Sequence, residues 1–425
     1  MNRSRARMAT YAPGALILLA LIVGGSAEPS LLTDAFIQIA TILICGGILL
    51  TKRSTRIDPT LLIFPLFLLL IIVVQLVPFP FNWIREFWPS AVLAAWDVSD
   101  DKRSVGFLTL NVQGTLRVLG YASTCSIFLW MLASQSRKQL LGMLPFIFVG
   151  ILANAFALML EVSFNFSGPI SNVFFYPIWA GFFANPNHLA TLLAMAAPPL
   201  VFIMLHKSKL LGGAALTVVL ILELADGSRA GIGISFVVTG ISVFMLGGWH
   251  SRRPLFSILP LITFAGLGFA AWQNVTLKGP DVNAGRLEFL NTSLMSIRES
   301  PVFGTGYGTF VETYQVYEKL ADIYTEYVNH AHDDYLELLV EGGSLAAVAM
   351  ALYLGLLFAR SVRHRHDLSA RVAFLSILVV LMHSAVDYPL RTMAVQYLFI
   401  FAHAILFNAH PEQVELAGER LQDKP

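Results

Sequence analysis

Charged or protonatable side chains stand at the edges of apolar runs in four places: Arg229, Arg286, the His330/His332 pair, and Arg391 with Asp387. A charge within a bilayer costs about 2.5–3.5 kcal/mol on insertion scales, so each such residue is a candidate for chemistry. Arg229 lies in Ala225-Asp226-Gly227-Ser228-Arg229-Ala230-Gly231, a turn too short to reach bulk solvent. A guanidinium there, permanently charged and with five donors in a rigid fork, suits a phosphate or diphosphate, or else it pairs with Asp226 or caps helix carbonyls. Arg286 opens a segment with Leu287, Leu290, Leu294 and Ile297 at helical spacing. That position near a helix N-terminus favours an anionic ligand, with a loop salt bridge as the alternative.

The string His330-Ala331-His332-Asp333-Asp334-Tyr335-Leu336-Glu337 admits three readings. Histidines followed by aspartates can ligate metals, but such sites draw further histidines from other loops, and the same side offers only His188 and, near mid-span, His383 and His403. A neutral imidazole near pH 7 can take a proton from a hydroxyl. His332 could equally be a helix cap. The glycine-rich run Gly304-Thr305-Gly306-Tyr307-Gly308-Thr309-Phe310 has no strand–loop–helix nucleotide fold around it, so close backbone approach explains it better than phosphate binding.

The elements that position these residues must be membrane helices. Of 425 residues, 56% are hydrophobic and 13% charged, far from the quarter charged that is usual in soluble proteins. A net charge of +1 provides no basic field for nucleic acid, and Cys45 and Cys125, both in apolar runs, form no disulfide framework or thiolate metal site. Spans are expected near Pro13–Ala27, Ala35–Leu50, Thr60–Val77, Thr115–Ala133, Leu140–Val162, His188–Leu205, Leu210–Ala225, Ala230–Gly247, Leu255–Trp272, Leu336–Ala359, Val372–Val386 and Thr392–Phe407. The fold class is therefore all-α, a polytopic bundle of about 12 transmembrane helices, with its larger outer loop between helices 9 and 10.

Alternate connections are basic: Arg3, Arg5 and Arg7; Lys52, Arg53 and Arg56; Arg137 and Lys138; Lys207 and Lys209; Arg252 and Arg253; Arg360, Arg363, Arg365 and Arg371; Arg420 and Lys424. These eighteen of the 28 Lys and Arg residues predict cytoplasmic termini. A rival reading takes the first span, with Gly24-Gly25-Ser26-Ala27 after it, as a cleaved signal peptide. Two outer loops exceed connector length. The first, 78–114, carries Trp83, Trp88 and Trp96 and reads as an interfacial anchor. The second, 273–335, is the one polar stretch large enough to fold by itself. The chain divides into an N-terminal span region (1–182), a region holding the candidate residues (183–409) and a cytoplasmic tail (410–425).

Together these strings resemble the O-antigen ligase and polymerase superfamily. The resemblance rests on Phe183-Ala184-Asn185-Pro186-Asn187-His188-Leu189-Ala190, Ser228-Arg229-Ala230-Gly231, Gly285-Arg286 leading to Pro301–Phe310, the His-Ala-His-Asp-Asp-Tyr-Leu-Glu string, and His383-Ser384-Ala385-Val386-Asp387-Tyr388-Pro389-Leu390-Arg391. It implies a metal-independent, inverting glycosyltransferase of the bacterial inner membrane, with no cofactor and its active site facing the periplasm. The donor would be a glycan on undecaprenyl diphosphate, the acceptor a glycan or a lipid A-core, and the further partners membrane lipids and polysaccharide assembly machinery. Carried over by position, Arg229 and Arg286 would hold the diphosphate and His332 would be the base, with His330, Asp333, Asn187 and Arg391 in support. Asp333 stands where the family commonly has Asn; it would raise the basicity of His332 or simply cap the helix. A lipid-linked oligosaccharide flippase or other transporter is the alternative, and a non-catalytic assembly subunit the third. Charges gathered on one face rather than along a central cavity favour the transferase. The motif loops resemble the polymerase type more than the ligase.

Overall fold

The computed structural model describes residues 3–28, 32–51, 57–90, 92–94, 104–163, 180–247, 282–319 and 328–408. The expected span Leu255–Trp272, Trp96, the tail 410–425 and the basic residues Lys52, Arg53, Arg56, Arg252, Arg253, Arg420 and Lys424 lie outside these residues.

The protein is a polytopic helical membrane protein. Its main helices are α1 (Arg3–Val23), α2 (Leu32–Leu50), α3 (Pro59–Gln75), α4 (Val112–Ala133), α5 (Leu144–Ser163), α6 (Pro186–His206), α7 (Lys209–Asp226), α8 (Arg229–Gly247), α9 (Val282–Glu299), α10 (Phe310–Tyr317), α11 (Asp334–Arg363), α12 (Leu368–His383) and α13 (Met393–Phe407). Eleven of the twelve expected spans are thus helical, and six described helices are long and apolar enough to cross a membrane. α1, α3, α12 and α13 contribute shorter apolar stretches. Large side chains such as Leu50, Leu210 and Phe358 are exposed on the outside of the bundle, as lipid contact requires. One small departure from an all-α fold pairs Phe79–Pro80 antiparallel with Val105–Gly106 in the first long loop.

The centre of the bundle is α6, where every residue from His188 to Pro198 is buried. It packs against α7, α8 and α12, while α13 packs on α12, α4 and α1. Asn185 caps α6 by accepting from the Asn187 N–H at 2.8 Å, and Pro186 occupies the first turn, where its missing N–H costs nothing. Gly227 ends α7 in a left-handed conformation (φ 81°), and the chain turns directly into α8.

The first long loop is more than an anchor. Trp83 is 63% exposed, consistent with an interfacial position, but Ser90 donates to Glu299 Oε2 from both N–H (2.7 Å) and Oγ (2.8 Å). Ser300 Oγ donates to the Phe87 carbonyl at 3.0 Å. The loop therefore clamps the end of α9. In the second loop, α9 and α10 close a small core with the start of α11, built on Phe289, Phe310, Tyr314, Leu336 and Val340.

The glycine-rich run repairs a break in α11. Gly343 has non-helical angles (φ 56°, ψ −145°), which frees backbone groups inside an apolar helix. Thr305 N–H donates to the Val340 carbonyl at 3.0 Å and Gly306 N–H to the Glu341 carbonyl at 2.9 Å. A Cβ on Gly304 would lie 2.4 Å from the Glu341 carbonyl carbon, so only glycine permits this approach. The run is a backbone splint, as its composition suggested.

Candidate active site

The ends of α6, α8, α9, α11 and α12 bring five separated strings together. Asp333 caps α11, its Oδ1 accepting from Tyr335 N–H (2.9 Å) and Leu336 N–H (3.0 Å). Asp333 thus forms the cap that one of its two readings expected. Just before it, His332 has φ 52°, the only positive φ of a non-glycine residue among those described. Left-handed backbone costs an L-residue about 1–2 kcal/mol, so the surrounding contacts must hold His332 there.

Those contacts centre on Asp387, which is fully buried. His332 Nδ1 lies 3.2 Å from Asp387 Oδ1, and the imidazole is flanked by Phe289 (stacked, centroids 5.7 Å apart) and Tyr388 (edge-on, 4.9 Å). A carboxylate only accepts, so Nδ1 carries the proton and Nε2 keeps its lone pair. Asp387 Oδ1 also accepts from Tyr388 N–H at 2.9 Å, and its Oδ2 accepts from the Asn187 side-chain amide. Asn187 Oδ1 in turn accepts from Ser228 Oγ at 2.6 Å, and Ser228 Oγ accepts from Gly231 N–H at 3.1 Å, capping α8. Burial alone would push the Asp387 pKa up; the hydrogen bond from His332 and the nearby His188, His332 and His383 rings hold it well below the usual carboxylate range. Asp387 is thus an anion at neutral pH that fixes the tautomer of His332.

His330 is placed differently. Its Nδ1 lies 2.9 Å from Glu337 Oε1 and its Nε2 3.5 Å from the Ala27 carbonyl, so both nitrogens face acceptors. Burial lowers its pKa, but the Glu337 carboxylate outweighs this and raises it, favouring a cation that makes a poor base. His332 instead keeps 30% of its side chain accessible. Burial pushes the Tyr388 phenol up to about 12, with Asp387 adding to the shift, so it stays protonated.

Arg229 begins α8 immediately after Ser228 and is half-buried. Among the described residues it makes no ion pair, and both carboxylate oxygens of Asp226 lack a partner, so the Arg229–Asp226 pairing does not form. Arg286 lies three residues before Phe289, on the helix face that meets His332, and within electrostatic reach of His383. It too makes no ion pair among the described residues.

Arg391 is committed elsewhere. It lies 3.2 Å from Glu337 Oε1, 3.4 Å from Glu341 Oε2 and 3.7 Å from Asp334 Oδ1, three carboxylates spaced along one face of α11. Burial would lower its pKa, but those carboxylates raise it. Arg391 is thus held by the buried acids of α11. Among the described residues no three His, Cys, Asp or Glu side chains are arranged to hold a metal ion.

Sequence reasoning singled out His332, Arg229, Arg286 and Asn187 but assigned no role to Asp387, Ser228, Phe289 or Tyr388. The available signal for Asp387 was an acid inside a short loop between two apolar runs. No curated protein matches the chain. Asp387 and Arg391 lie beyond the stretch that a family model covers, whereas Asn187, Ser228, Arg229, Arg286 and His332 lie within it. Residues 173–351 match the O-antigen ligase family model, so an O-antigen ligase-like domain lies within this polytopic membrane protein.

Proposed function

We propose that the protein is an inverting glycosyltransferase of the bacterial inner membrane. It takes a glycan from undecaprenyl diphosphate on the periplasmic face and passes it to an acceptor hydroxyl, as a polysaccharide polymerase; lipopolysaccharide ligation is the same chemistry on another acceptor. Both termini are then cytoplasmic and the His332 end of the bundle faces the periplasm, in keeping with the alternation of basic connections along the sequence.

The observation that carries this reading is the His332–Asp387 pair, with Arg229 and Arg286, which make no ion pair among the described residues, on the elements that adjoin it. His332 Nε2 takes the proton of the acceptor hydroxyl as that oxygen attacks the anomeric carbon. The bond from the anomeric carbon to the diphosphate oxygen breaks, and its electrons leave with undecaprenyl diphosphate. Arg229 and Arg286 stabilise the negative charge that grows on this leaving group, a task guanidiniums perform without a metal. Asp387 stabilises the imidazolium that forms, and Asn187 and Ser228 hold Asp387 in place.

Alanine at His332 or Arg286 should abolish polymer or ligated product while the protein remains in the membrane, and chelator should leave wild-type turnover unchanged. Wild-type product levels in both variants would overturn the assignment. In a deletion strain, single unlinked repeats indicate a polymerase and accumulated long lipid-linked chains a ligase.

A further inference from the structure

A cavity of about 470 Å³ opens beside the dyad without including it. The Tyr388 ring separates the two, packed against His330 of the cavity wall (centroids 4.2 Å apart) and against His332 of the dyad (4.9 Å). Neither Arg229 nor Arg286 lines it. Its volume falls in the roughly 300–1,000 Å³ range of pockets that hold small ligands.

The lining is poorly suited to a diphosphate. Glu28, Glu312, Asp334, Glu337 and Glu341 contribute five carboxylates against Arg117, Arg391 and His330. A phosphate entering this lining would meet more acidic than basic side chains. The carboxylates of α11 also stand behind the donors. Side-chain accessibility is 20% for Arg391 but 4% for Asp334 and 1% for Glu337 and Glu341. The charge of Arg391 is met from within by these acids, while a fifth of its side chain remains accessible on the cavity lining. His330 is 12% accessible, and Asn329 adds an amide beside it. Facing these are the apolar surfaces of Val118, Phe310 and Leu338, suited to the C–H faces of a pyranose ring.

We propose that this cavity binds the uncharged, hydroxyl-rich terminal sugar of the acceptor glycan. The inference rests on the transferase reading and extends it. Diphosphate goes to Arg229 and Arg286 on the His332 side, hydroxyls go to the polar groups on the His330 side, and Tyr388 stands between them. A repeat-unit acceptor and a lipid A-core acceptor present the same sugar chemistry, and two probes separate them.

The test is direct binding to the full-length protein in detergent. The probes are the host's repeat oligosaccharide, released from its carrier by mild acid, and the core oligosaccharide released from its lipopolysaccharide. Val311 on α10 lines the cavity and is half-exposed, so Val311→Trp fills the space with little disturbance of packing; Leu338→Trp does so from α11. Wild type should bind one of the two glycans, and folded Val311→Trp or Leu338→Trp should bind it at least tenfold more weakly, with undecaprenyl diphosphate binding changed less than twofold. The glycan that binds names the acceptor. Wild type binding neither glycan, or both folded variants binding within twofold of wild type, would overturn the proposal. His332→Ala should keep full glycan affinity. Wild type that binds the glycan but forms no glycosidic bond and releases no undecaprenyl diphosphate would remove the transferase reading alone, so the two failures are distinguishable.

Discussion

Replacing Asp387 by asparagine tests the dyad with almost no change of shape. Asp387 receives hydrogen bonds at both oxygens, from His332 and Tyr388 N–H at Oδ1 and from Asn187 at Oδ2. An amide at this position must place its NH2 on one side. Toward Oδ1 it opposes the Tyr388 N–H and forces His332 to protonate on Nε2, which destroys the base. Toward Oδ2 it meets the Asn187 NH2, and relief requires Asn187 to flip against Ser228. Even then the charge that stabilises the imidazolium is gone. General-base catalysis is worth about 10²–10⁴-fold. The loss of kcat should fall in that range, about 2.7–5.4 kcal/mol of barrier. The donor KM should change less than threefold, because Arg229 and Arg286 are untouched.

The double variant Asp387→Asn with Asn187→Asp separates tautomer from charge. The carboxylate introduced at position 187 would accept from Ser228 and from the new amide, leaving the side-chain carbonyl at position 387 to accept from His332 and Tyr388. Hydrogen bonding is restored with the charge displaced by one side chain, so the double variant should regain at least tenfold over Asp387→Asn. The assay is the initial rate of glycosidic bond formation in proteoliposomes with isolated lipid-linked donor. A folded Asp387→Asn enzyme within threefold of the wild-type kcat would refute the reasoning.

Arg229→Lys and Arg286→Lys keep the charge but lose the planar fork. Each should lower kcat/KM for the donor at least tenfold, and unchanged values would remove the diphosphate role. His332→Gly and His332→Ala both lack the imidazole and differ in backbone cost alone; at φ 52° the glycine variant should be the more stable by about 1 kcal/mol, measured by thermal unfolding, with neither active. A more stable alanine variant would contradict the strained geometry. The folded pKa of His330 is raised, so its stabilisation is fully present below the ordinary histidine value of about 6.5 and is lost as pH rises through the folded value. The stability gap between wild type and His330→Gln should therefore be widest below pH ~6 and narrow as pH rises through the raised folded value. A gap that widens with rising pH would contradict the His330–Glu337 pair.

How much of this was legible in the sequence depended on whether the signal was local. Apolar runs located the helices, and charges at their edges located Arg229, Arg286 and His332, because a bilayer makes such charges costly wherever they fall. The helix caps at Asn185 and Asp333 follow from residue type and the next few positions. The partnership of His332 with Asp387 spans 55 residues, and that of Asn187 with Ser228 spans 41; no periodicity encodes either. Both depend on how α6, α8 and α12 pack. Arg391 looked like another outward-facing cation because the acids that hold it lie on α11. Asp334, Glu337 and Glu341 nonetheless share one helix face by their spacing alone, which was a legible sign that something positive would meet them.

The central claim is that His332 makes a glycosidic bond at the expense of the diphosphate linkage. Counting undecaprenyl diphosphate released per glycosidic bond formed, in proteoliposomes holding wild type or His332→Ala, tests it most directly. The account predicts one released per bond for wild type and neither release nor bond for His332→Ala. Bond formation at the wild-type rate in His332→Ala, or movement of intact lipid-linked glycan by wild type without release, would contradict it.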